Sequence, residues 1–433
     1  MRVLALDIGS SSIKAAILRN GKPVGTISHA AYPTVRKDTR AEVDPNALLQ
    51  AISKAIASIP AAKKADILAL SVMSSAWVAM DSRGKTLTPI ITHQDRRSID
   101  DARALLREIG EKSLLKITGS LPFPGGISST THRWMFRNLK QLKRKAALVG
   151  PLNTFLHRVL TGACVTDPGN ASFMGLFQTL KLKGWSPLML SACGGTESIL
   201  PDVLEGDAIA GRITHAAADT FGLLEGLPMT TGVIDTSAAM LLAGADEGRL
   251  LHICGTTDVL ALCTNQPHPH PRLLTRGLGL GGKFLIAATL ASAGSTLDWA
   301  KATFFADFDD TQFLRLVRHV SRIPDDPAVI FEPYLAGERT NIEQRTAALA
   351  GLSLRTDRNM ILRSILAALA RASAQRFPLL MKNRKVKRNV LVSGGGAKIL
   401  APLFHADLPR RLHYHYVEQA TLLGLWKLAQ RPR

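Results

Sequence analysis

The chain has 433 residues, of which 46% are apolar and 5% aromatic, and its formal net charge is +20. This length predicts two domains, each large enough to bury a core. The four cysteines are scattered without metal-binding spacing, which argues against a disulfide framework and favours a reduced, cytoplasmic protein. We find neither a signal-peptide pattern nor an apolar run that could span a bilayer, so no membrane association is expected.

The excess of basic residues includes a cluster at Lys140–Lys145. Such clusters can bind nucleic acid, attract polyanionic nucleotides and sugar phosphates, or form a solvated basic face. Because this cluster contains no interleaved aromatic residues, we favour the solvated face and expect no nucleic-acid partner.

The first predicted elements form a strand, a tight polar turn and a second strand. Asp7 follows the strand-like run Arg2–Leu6, and an apolar run comes next at Ala15–Leu18. Gly9 permits a tight turn, and the serines after it add hydroxyl donors. Such a hairpin can hold the terminal phosphates of a nucleotide while Asp7 faces their metal ion, although a hairpin without a ligand is the alternative.

Strands and helices alternate further along the chain. Asp44 followed by proline predicts the start of a helix over Asp44–Ile52, and Ile67–Val72 is typical of a buried strand. Ser98–Ile109 is predicted to be helical. Lys140–Leu160 also favours a helix, interrupted at Gly150–Pro151, and residues 168–201 are expected to be irregular.

A second cycle of the same kind begins near residue 249. The strand-like run Leu250–Cys254 leads through a small polar turn, Gly255–Asp258, into Val259–Leu262, which repeats the N-terminal pattern. The cycle ends in the buried run Val390–Ser393 and the glycine turn Gly394–Gly396. That turn either lets a ligand approach the backbone near a helix N-terminus or is merely flexible. The predicted domains are therefore 1–246 and 247–433.

Asp235 is the candidate catalytic residue. It follows the short apolar run at Val233 and Ile234 and precedes small residues that would begin a helix. Its carboxylate could therefore point into a cleft, cap the helix, or do both. Phosphoryl transfer to an alcohol needs a carboxylate that accepts the hydroxyl proton, and we assign this role to Asp235.

The ordered motifs resemble the FGGY family of carbohydrate kinases, in the superfamily of actin, hexokinase and heat-shock chaperone ATPases. The resemblance extends over nearly the whole chain and is far more specific as a set than any single motif. Its segments are Asp7–Lys14 (DxGxxxxK), Gln94–Arg97, Gly232–Ala238 (GxxDxxA), Gly255–Thr257 (GTT), Pro333–Thr340 and Ser393–Ala397 (SGGGA).

This resemblance implies an α/β fold of two ribonuclease-H-like, actin-like ATPase domains around a central cleft, with ATP and Mg²⁺ as cofactors. Asp235 would be the base, and Asp7 would orient the magnesium ion. The implied nucleotide-binding residues are Gly9, Ser10, Ser11, Ser12, Lys14, Gly255, Thr256, Thr257, Gly394, Gly395, Gly396 and Ala397. The implied sugar-binding residues are Asp95, Arg97, Ser75 and Asp235.

Two features leave the substrate open. Met73–Ala76 stands where ketose kinases of this family usually have Gln-Met-His-Gly, and without the family context Asp95 and Arg97 would form only a surface salt bridge. The resemblance implies phosphorylation of a sugar hydroxyl, with a ketose such as xylulose or sedoheptulose expected. The alternatives are a catalytically silent regulator that binds nucleotide and sugar, and a nucleic-acid-associated protein. Homodimerisation is also left open.

Overall fold

The computed structural model describes residues 1–324, 328–382, 384–406, 408–409 and 411–431. The chain divides into two compact units. Unit 1 comprises Met1–Ala245, Cys263–Ile286 and Ala420–Arg433, and unit 2 comprises Asp246–Leu262 and Ala287–Gln419. Unit 1 thus takes two segments from beyond residue 246, whereas the predicted domains, 1–246 and 247–433, are contiguous in sequence and stay a prediction.

Strands and helices alternate over residues 1–245, as expected for an α/β fold. The strands are β1 (Val3–Ile8), β2 (Ser12–Arg19), β3 (Lys22–Ala31), β4 (Val35–Lys37), β5 (Arg40–Val43), β6 (Ile67–Val72), β7 (Ala76–Met80), β8 (Ile90–Thr92), β9 (Leu148–Gly150), β10 (Val165–Thr166), β11 (Asp202–Val203), β12 (Ile209–Arg212), β13 (Pro228–Thr230) and β14 (Val233–Ile234). The α-helices are α1 (Pro45–Ala57), α2 (Ile99–Ile109), α3 (Glu111–Thr118), α4 (Ser128–Asn138), α5 (Leu142–Lys145), α6 (Leu152–Leu160), α7 (Pro168–Met174), α8 (Pro187–Cys193), α9 (His215–Phe221) and α10 (Asp235–Ala243).

The remaining residues repeat this alternation. The strands are β15 (Leu250–Cys254), β16 (Asp258–Thr264), β17 (Leu274–Gly277), β18 (Phe284–Leu290), β19 (Ile330–Glu332), β20 (Ala348–Ala350), β21 (Asn389–Ser393) and β22 (His413–Tyr416). The α-helices are α11 (Gly294–Phe304), α12 (Asp310–Val320), α13 (Arg358–Ala374), α14 (Phe377–Met381), α15 (Ala397–His405) and α16 (Ala420–Ala429). None of the helices in the described ranges is long and apolar enough to cross a bilayer.

The main sheet of unit 1 has the strand order β12-β13-β6-β1-β2-β3, and β14 also pairs with β6. β1 pairs antiparallel with β2 and parallel with β6, and every residue of β1 and β6 is buried. Such buried and largely apolar runs are typical of strands covered on both faces. In the parallel register Asp7 lies opposite Ser71, so the sheet brings two polar side chains together near the carboxyl ends of β1 and β6.

The predicted N-terminus of α1 is confirmed. The Asp44 side chain accepts hydrogen bonds from the backbone N–H groups of Asn46 and Ala47, at 3.2 and 3.3 Å, and Pro45 is the first helical residue. These bonds satisfy donors that have no partner inside the helix.

Two other sequence predictions are wrong in part. The helix expected over Lys140–Leu160 forms only as α5 and α6, because Leu148–Gly150 between them forms β9, which pairs antiparallel with β7. Residues 168–201 are not irregular throughout, because they contain α7 and α8. Sheet pairing overrode local helix propensity in the first case. In the second, Asp167 and Pro168 form the same capping pattern as Asp44 and Pro45.

α10 is held in unit 1 by an unusually close contact with α16. A Cβ atom on Gly424 of α16 would lie only 1.8 Å from the carbonyl oxygen of Ala238 in α10. Only glycine allows the two helix backbones to approach this closely. The contact fixes the helix that begins at Asp235.

Unit 2 repeats the strand arrangement of unit 1. β15 pairs antiparallel with β16 and parallel with β21, and β22 extends the sheet beside β21. The turn between β15 and β16 therefore lies at the same edge of its sheet as the turn between β1 and β2 does in unit 1. This similarity supports the internal repeat seen in the sequence.

Candidate active site

Asp7 is a buried carboxylate at the end of β1. Its Oδ1 accepts a hydrogen bond from the Ser71 hydroxyl at 2.8 Å. Burial raises the pKa of Asp7 from 3.8 to about 7, and the charge of Asp235 adds to the increase, whereas Ser71 and Lys14 oppose it. The two carboxylates therefore lie near enough to interact, and a cation at this place would relieve their repulsion.

The turn after Asp7 is closed by its own backbone. The N–H of Gly9 donates to the carbonyl of Ser12 at 3.0 Å, and the Tyr32 hydroxyl donates to the carbonyl of Gly9. The Gly9 amide is thus used within the turn. Among the described residues, the hydroxyls of Ser10, Ser11 and Ser12 have no hydrogen-bond partner, so they can serve a ligand. Lys14 lies opposite Asp7 on β2.

Asp235 is the first residue of α10 and is half-buried. Its Oδ1 accepts hydrogen bonds from the backbone N–H of Thr236 at 2.5 Å and from the Thr236 hydroxyl at 3.1 Å. Gly232 precedes it with a φ of +80°, and a Cβ there would lie 2.6 Å from the carbonyl oxygen of Leu70. The segment carrying Asp235 consequently lies directly against β6.

Arg276 of β17 lies beside Asp235 and was not expected from the sequence. Its guanidinium is almost completely buried, with 3% of the residue exposed. Nη1 donates to the Ser237 hydroxyl at 2.7 Å and to the Gly277 carbonyl at 2.9 Å, and Nη2 donates to the Thr236 hydroxyl at 3.1 Å. Burial lowers the pKa of Arg276 to about 10, while the charges of Asp235 and Asp167 oppose this effect.

A third buried carboxylate, Asp167, precedes α7. It accepts hydrogen bonds from the side-chain amides of Asn170 at 2.6 Å and Asn153 at 3.2 Å. Burial raises its pKa to about 6. Asn170 in turn accepts a hydrogen bond from the Ser74 hydroxyl at 3.2 Å, which links this group to the segment between β6 and β7.

Ser75 and Asp95 are joined through one loop. The Ser75 hydroxyl donates to the carbonyl of Gly126, and a Cβ on the neighbouring Gly125 would lie 2.2 Å from the carbonyl oxygen of Asp95. Unit 1 therefore brings Asp95 near Ser75, and Ser74 connects to the group around Asp167. Ser75 and Asp95 therefore contact the same loop, and Ser74, the neighbour of Ser75, is hydrogen-bonded to Asn170.

Asp95 and Arg97 form a buried ion pair rather than a surface one. Arg97 donates to Asp95 through Nε at 2.9 Å and through Nη2 at 2.6 Å, and Nη2 also contacts Glu42. Asp95 is fully buried and accepts a further bond from the backbone N–H of Ala41. The guanidinium carbon lies 5.3 Å from the ring centre of Trp134. The alternative of an exposed salt bridge is therefore wrong.

The hairpin of unit 2 packs against two glycine segments. The N–H of Gly255 donates to the Thr257 carbonyl, and the N–H of Gly294 donates to the Gly255 carbonyl at 3.0 Å. Gly394 has a φ of +111°, and a Cβ there would lie 2.3 Å from the carbonyl oxygen of Cys254. Gly396 donates to that same carbonyl at 2.9 Å. Glycine is thus required at 394 for backbone packing.

A cavity of about 530 Å³ opens beside this hairpin within unit 2. Its volume is in the range of small-molecule sites. Gly395 leaves open space, since nothing lies within 4 Å of the position a Cβ would take. The cavity is lined by Gly255, Thr256, Gly294, Leu297, Asp298, Lys301, Asp310, Phe313, Leu314, Gly395, Gly396, Ile399 and Leu400. Four of the predicted nucleotide-binding residues line it, whereas Thr257, Gly394 and Ala397 do not.

Three charged groups on the wall of this cavity were not predicted. The Lys301 ammonium contacts the Asp310 carboxylate, and Asp298 lies nearby on the same helix as Lys301. Burial raises the pKa of Asp298, and the charge of Asp310 adds to the increase. No local sequence pattern indicated that Asp298 would face a cavity.

Residues 2–242 match the N-terminal domain of the FGGY family of carbohydrate kinases, and residues 250–401 match the C-terminal domain of that family. The chain belongs to the FGGY family of carbohydrate kinases. It is therefore a sugar kinase with a two-domain, actin-like ATPase fold, as the sequence motifs implied.

Characterised relatives differ in the substrate that their names specify. The chain is 25% identical to a xylulose kinase of Staphylococcus xylosus, over 94% of this chain and 87% of that protein. It is 27% identical to a glycerol kinase of Thermococcus onnurineus, over 99% and 88%. A gluconate kinase from Lactobacillus acidophilus superimposes with a TM-score of 0.86 at 19% identity, covering 99% of this chain and 88% of the other. The last comparison shows a shared fold.

Proposed function

We propose that this FGGY kinase transfers the terminal phosphate of ATP to a hydroxyl of a ketose such as xylulose or sedoheptulose. The observation that carries the proposal is the pair formed by Asp235, at the N-terminus of α10, and the buried Asp7. This pair combines a carboxylate able to accept a proton with a second carboxylate that favours a nearby cation.

Asp235 is the proposed base. The Thr236 backbone and hydroxyl both donate to Oδ1, so Oδ2 is the oxygen left to accept the proton of the attacking sugar hydroxyl. A base acts when it lies within hydrogen-bond distance of that proton. Accepting the proton while the hydroxyl oxygen attacks the phosphorus increases the negative charge on that oxygen, which favours in-line transfer.

The residues around Asp7 fit a magnesium ion. A carboxylate oxygen is the kind of ligand that Mg²⁺ prefers, and burial beside Asp235 disfavours an isolated charge on Asp7. Mg²⁺-ATP, when bound, supplies the phosphoryl group together with charge that neutralises it. Asp7 would orient the ion through one carboxylate oxygen, with Ser71 holding the other.

Nucleotide-binding roles are proposed for residues of each hairpin, taken by itself. The hydroxyls of Ser10, Ser11 and Ser12 and of Thr256 and Thr257 would bind phosphate oxygens, with Lys14 supplying positive charge. Gly9 and Gly255 would act by closing their turns, since their own N–H groups are used there. The cavity beside Gly395 and Gly396 would accommodate adenosine, and Gly394 and Ala397 would hold that turn and the following helix in place.

The residues proposed to bind the sugar are Ser75, Asp95, Arg97 and Asp235. Because the Asp95 oxygens are occupied by Arg97 and Ala41, Arg97 is the better donor to a sugar hydroxyl, and Asp95 would hold it in place. A fixed guanidinium offers donors at set angles to adjacent hydroxyls. Xylulose kinases among the relatives support a ketose. The relatives give no support to a catalytically silent regulator.

The test is ADP release, measured with a coupled assay over xylulose, sedoheptulose, glycerol and gluconate. Wild-type protein is expected to release ADP in a sugar-dependent manner, most rapidly with a ketose. Asp235→Ala should remove this signal while ATP still stabilises the fold. The exposed Asp38 provides a matched control, and Asp38→Asn should retain full activity.

Two results would contradict the proposal. The ketose assignment fails if glycerol or gluconate is the preferred acceptor while the ketoses are inactive. The assignment of Asp235 fails if Asp235→Ala loses nucleotide binding together with transfer, since that residue would then be mainly structural. A cytoplasmic location and the absence of nucleic-acid and membrane partners remain predictions, and dimerisation remains open.

A further inference from the structure

A continuous hydrogen-bonded chain leads from Arg276 to the proposed base. Arg276 Nη2 donates to the Thr236 hydroxyl at 3.1 Å, and that hydroxyl donates to Asp235 Oδ1 at 3.1 Å. Arg276 Nη1 donates at the same time to the hydroxyl of Ser237, the next residue of α10, at 2.7 Å. The first turn of the helix is thus anchored at two successive hydroxyls by one guanidinium.

The Arg276 guanidinium is held in place by further contacts. Its Nη1 also donates to the Gly277 carbonyl at 2.9 Å, and the ring centre of Phe173 lies 5.7 Å from the guanidinium carbon. Only 3% of Arg276 is exposed. A buried guanidinium held by three hydrogen bonds has little freedom to move, which makes it a rigid reference point for Asp235.

Asp235 and Arg276 interact electrostatically with charged groups from several elements. Asp7 lies on β1, Asp167 precedes α7, and Arg276 lies on β17; Arg276 interacts electrostatically with both Asp235 and Asp167. α16 packs along α10, but its Lys427 donates to the Leu242 carbonyl at the opposite end of that helix. Arg276 is therefore the guanidinium that opposes the negative charges of this group.

We propose that Arg276 and Thr236 are positioning residues for phosphoryl transfer. Through the Thr236 hydroxyl, Arg276 holds Oδ1 of Asp235, so that Oδ2 faces the sugar hydroxyl. Neither residue needs to touch the sugar. This inference rests on the proposed role of Asp235, and it adds two residues that no motif of the family singled out here.

The proposal predicts the effects of removing the Arg276 charge and the Thr236 hydroxyl. Arg276→Gln should lower kcat by about a hundredfold, the usual scale for a displaced catalytic group. The KM for the sugar should change little, because neither Arg276 nor Thr236 needs to touch the sugar. Thr236→Val should lower kcat, whereas Thr236→Ser, which keeps the hydroxyl, should restore it.

Controls separate positioning from a general loss of structure. Arg272→Gln replaces an exposed arginine four residues before Arg276 and should leave kcat and KM unchanged. An unchanged kcat in Arg276→Gln, or full activity in Thr236→Val, would overturn the proposal. So would a loss of activity confined to acidic sugars such as gluconate, since Arg276 would then bind a substrate carboxylate.

Denaturant unfolding needs no catalytic turnover, so it tests this inference separately from the proposed function. If wild-type protein phosphorylates no sugar, the proposed function fails. The contact can still be tested with Asp235→Asn and Arg276→Gln, alone and combined, in denaturant unfolding at pH 8. We expect the shifts in the unfolding midpoint to be non-additive, because the two groups interact. Additive shifts would overturn the inference.

Discussion

At the scale of single residues, the main feature is a set of buried carboxylates near one guanidinium. Asp7 and Asp167 both have a raised pKa because burial disfavours their charged forms. Arg276 offsets part of this charge, and a bound cation would offset more. Buried charge that is incompletely balanced costs folding stability, which is common where a protein prepares a site for a ligand.

Asp7→Asn should make the ligand-free protein more stable at high pH. The folded-state pKa of Asp7, about 7, is above its ordinary value of 3.8, so ionisation of Asp7 opposes folding. The stability gained by Asp7→Asn should be negligible below pH 4, rise between pH 4 and 7, and reach at most about 4 kcal/mol at pH 8. Denaturant unfolding at pH 4, 6 and 8 measures this.

Asp38→Asn is the control for this prediction, since Asp38 is exposed. Its unfolding free energy should follow that of wild-type protein at each pH. If Asp7→Asn is less stable than wild type at pH 8, the ionised carboxylate makes contacts that outweigh its burial, and our description of Asp7 is wrong.

Asp95→Asn should be strongly destabilising. It leaves Arg97 buried without its main partner, and breaking a buried ion pair typically costs about 3–5 kcal/mol. The exposed pair of Arg103 and Asp100 is a matched comparison, and Asp100→Asn should cost less than about 1 kcal/mol. Denaturant unfolding of both variants distinguishes them. Equal losses would contradict the structural role that we assign to Asp95.

The site residues that were predicted from the sequence are marked by local patterns. The residue that was missed is defined by contacts with residues far away along the chain. Asp7 and Asp235 each end an apolar run, a local pattern that can be recognised directly. Arg276 contacts Ser237, 39 positions earlier, and no local pattern marks it as part of the site. Tertiary structure alone brings the two together.

At the scale of elements, the presence or absence of a clear local sequence pattern explains why some helices were predicted and others were not. Asp44 and Pro45 begin α1, and Asp167 and Pro168 begin α7 with an equivalent pair of capping bonds. The first was recognised because a long amphipathic run follows it. The second was missed because α7 is short and wholly buried, so it lacks a polar face that would reveal its period.

The glycine turn before α15 provides an element-scale prediction. Gly394→Ala should destabilise unit 2, because its Cβ would overlap the Cys254 carbonyl and its φ is unfavourable for other residues. Gly395→Ala should fold like wild-type protein, since its Cβ has open space, but should weaken ATP binding by intruding into the cavity. Thermal unfolding with and without ATP measures both effects.

Gly394→Ala and Gly395→Ala serve as controls for each other. Our assignment of the cavity to adenosine would be contradicted if ATP stabilised Gly395→Ala and wild-type protein to the same extent. Our account of the packing would be contradicted if Gly394→Ala unfolded at the wild-type temperature.

At the scale of the whole molecule, each unit is built on a hairpin whose first strand pairs in parallel with a later strand. β1 pairs with β6 in unit 1, and β15 pairs with β21 in unit 2. The sequence indicated this repetition through two turns of glycine and hydroxyl residues. It did not indicate that unit 1 would include Cys263–Ile286, which carries Arg276.

The most direct test of the proposed function detects the phosphorylated sugar. Phosphorus NMR of ATP, Mg²⁺ and a ketose should show a new sugar phosphomonoester with wild-type protein. With Asp235→Asn, formation of this product should slow by about 10²–10⁴-fold, the range for loss of a general base, while ATP still binds. Release of inorganic phosphate alone, or product formation by Asp235→Asn at the wild-type rate, would contradict it.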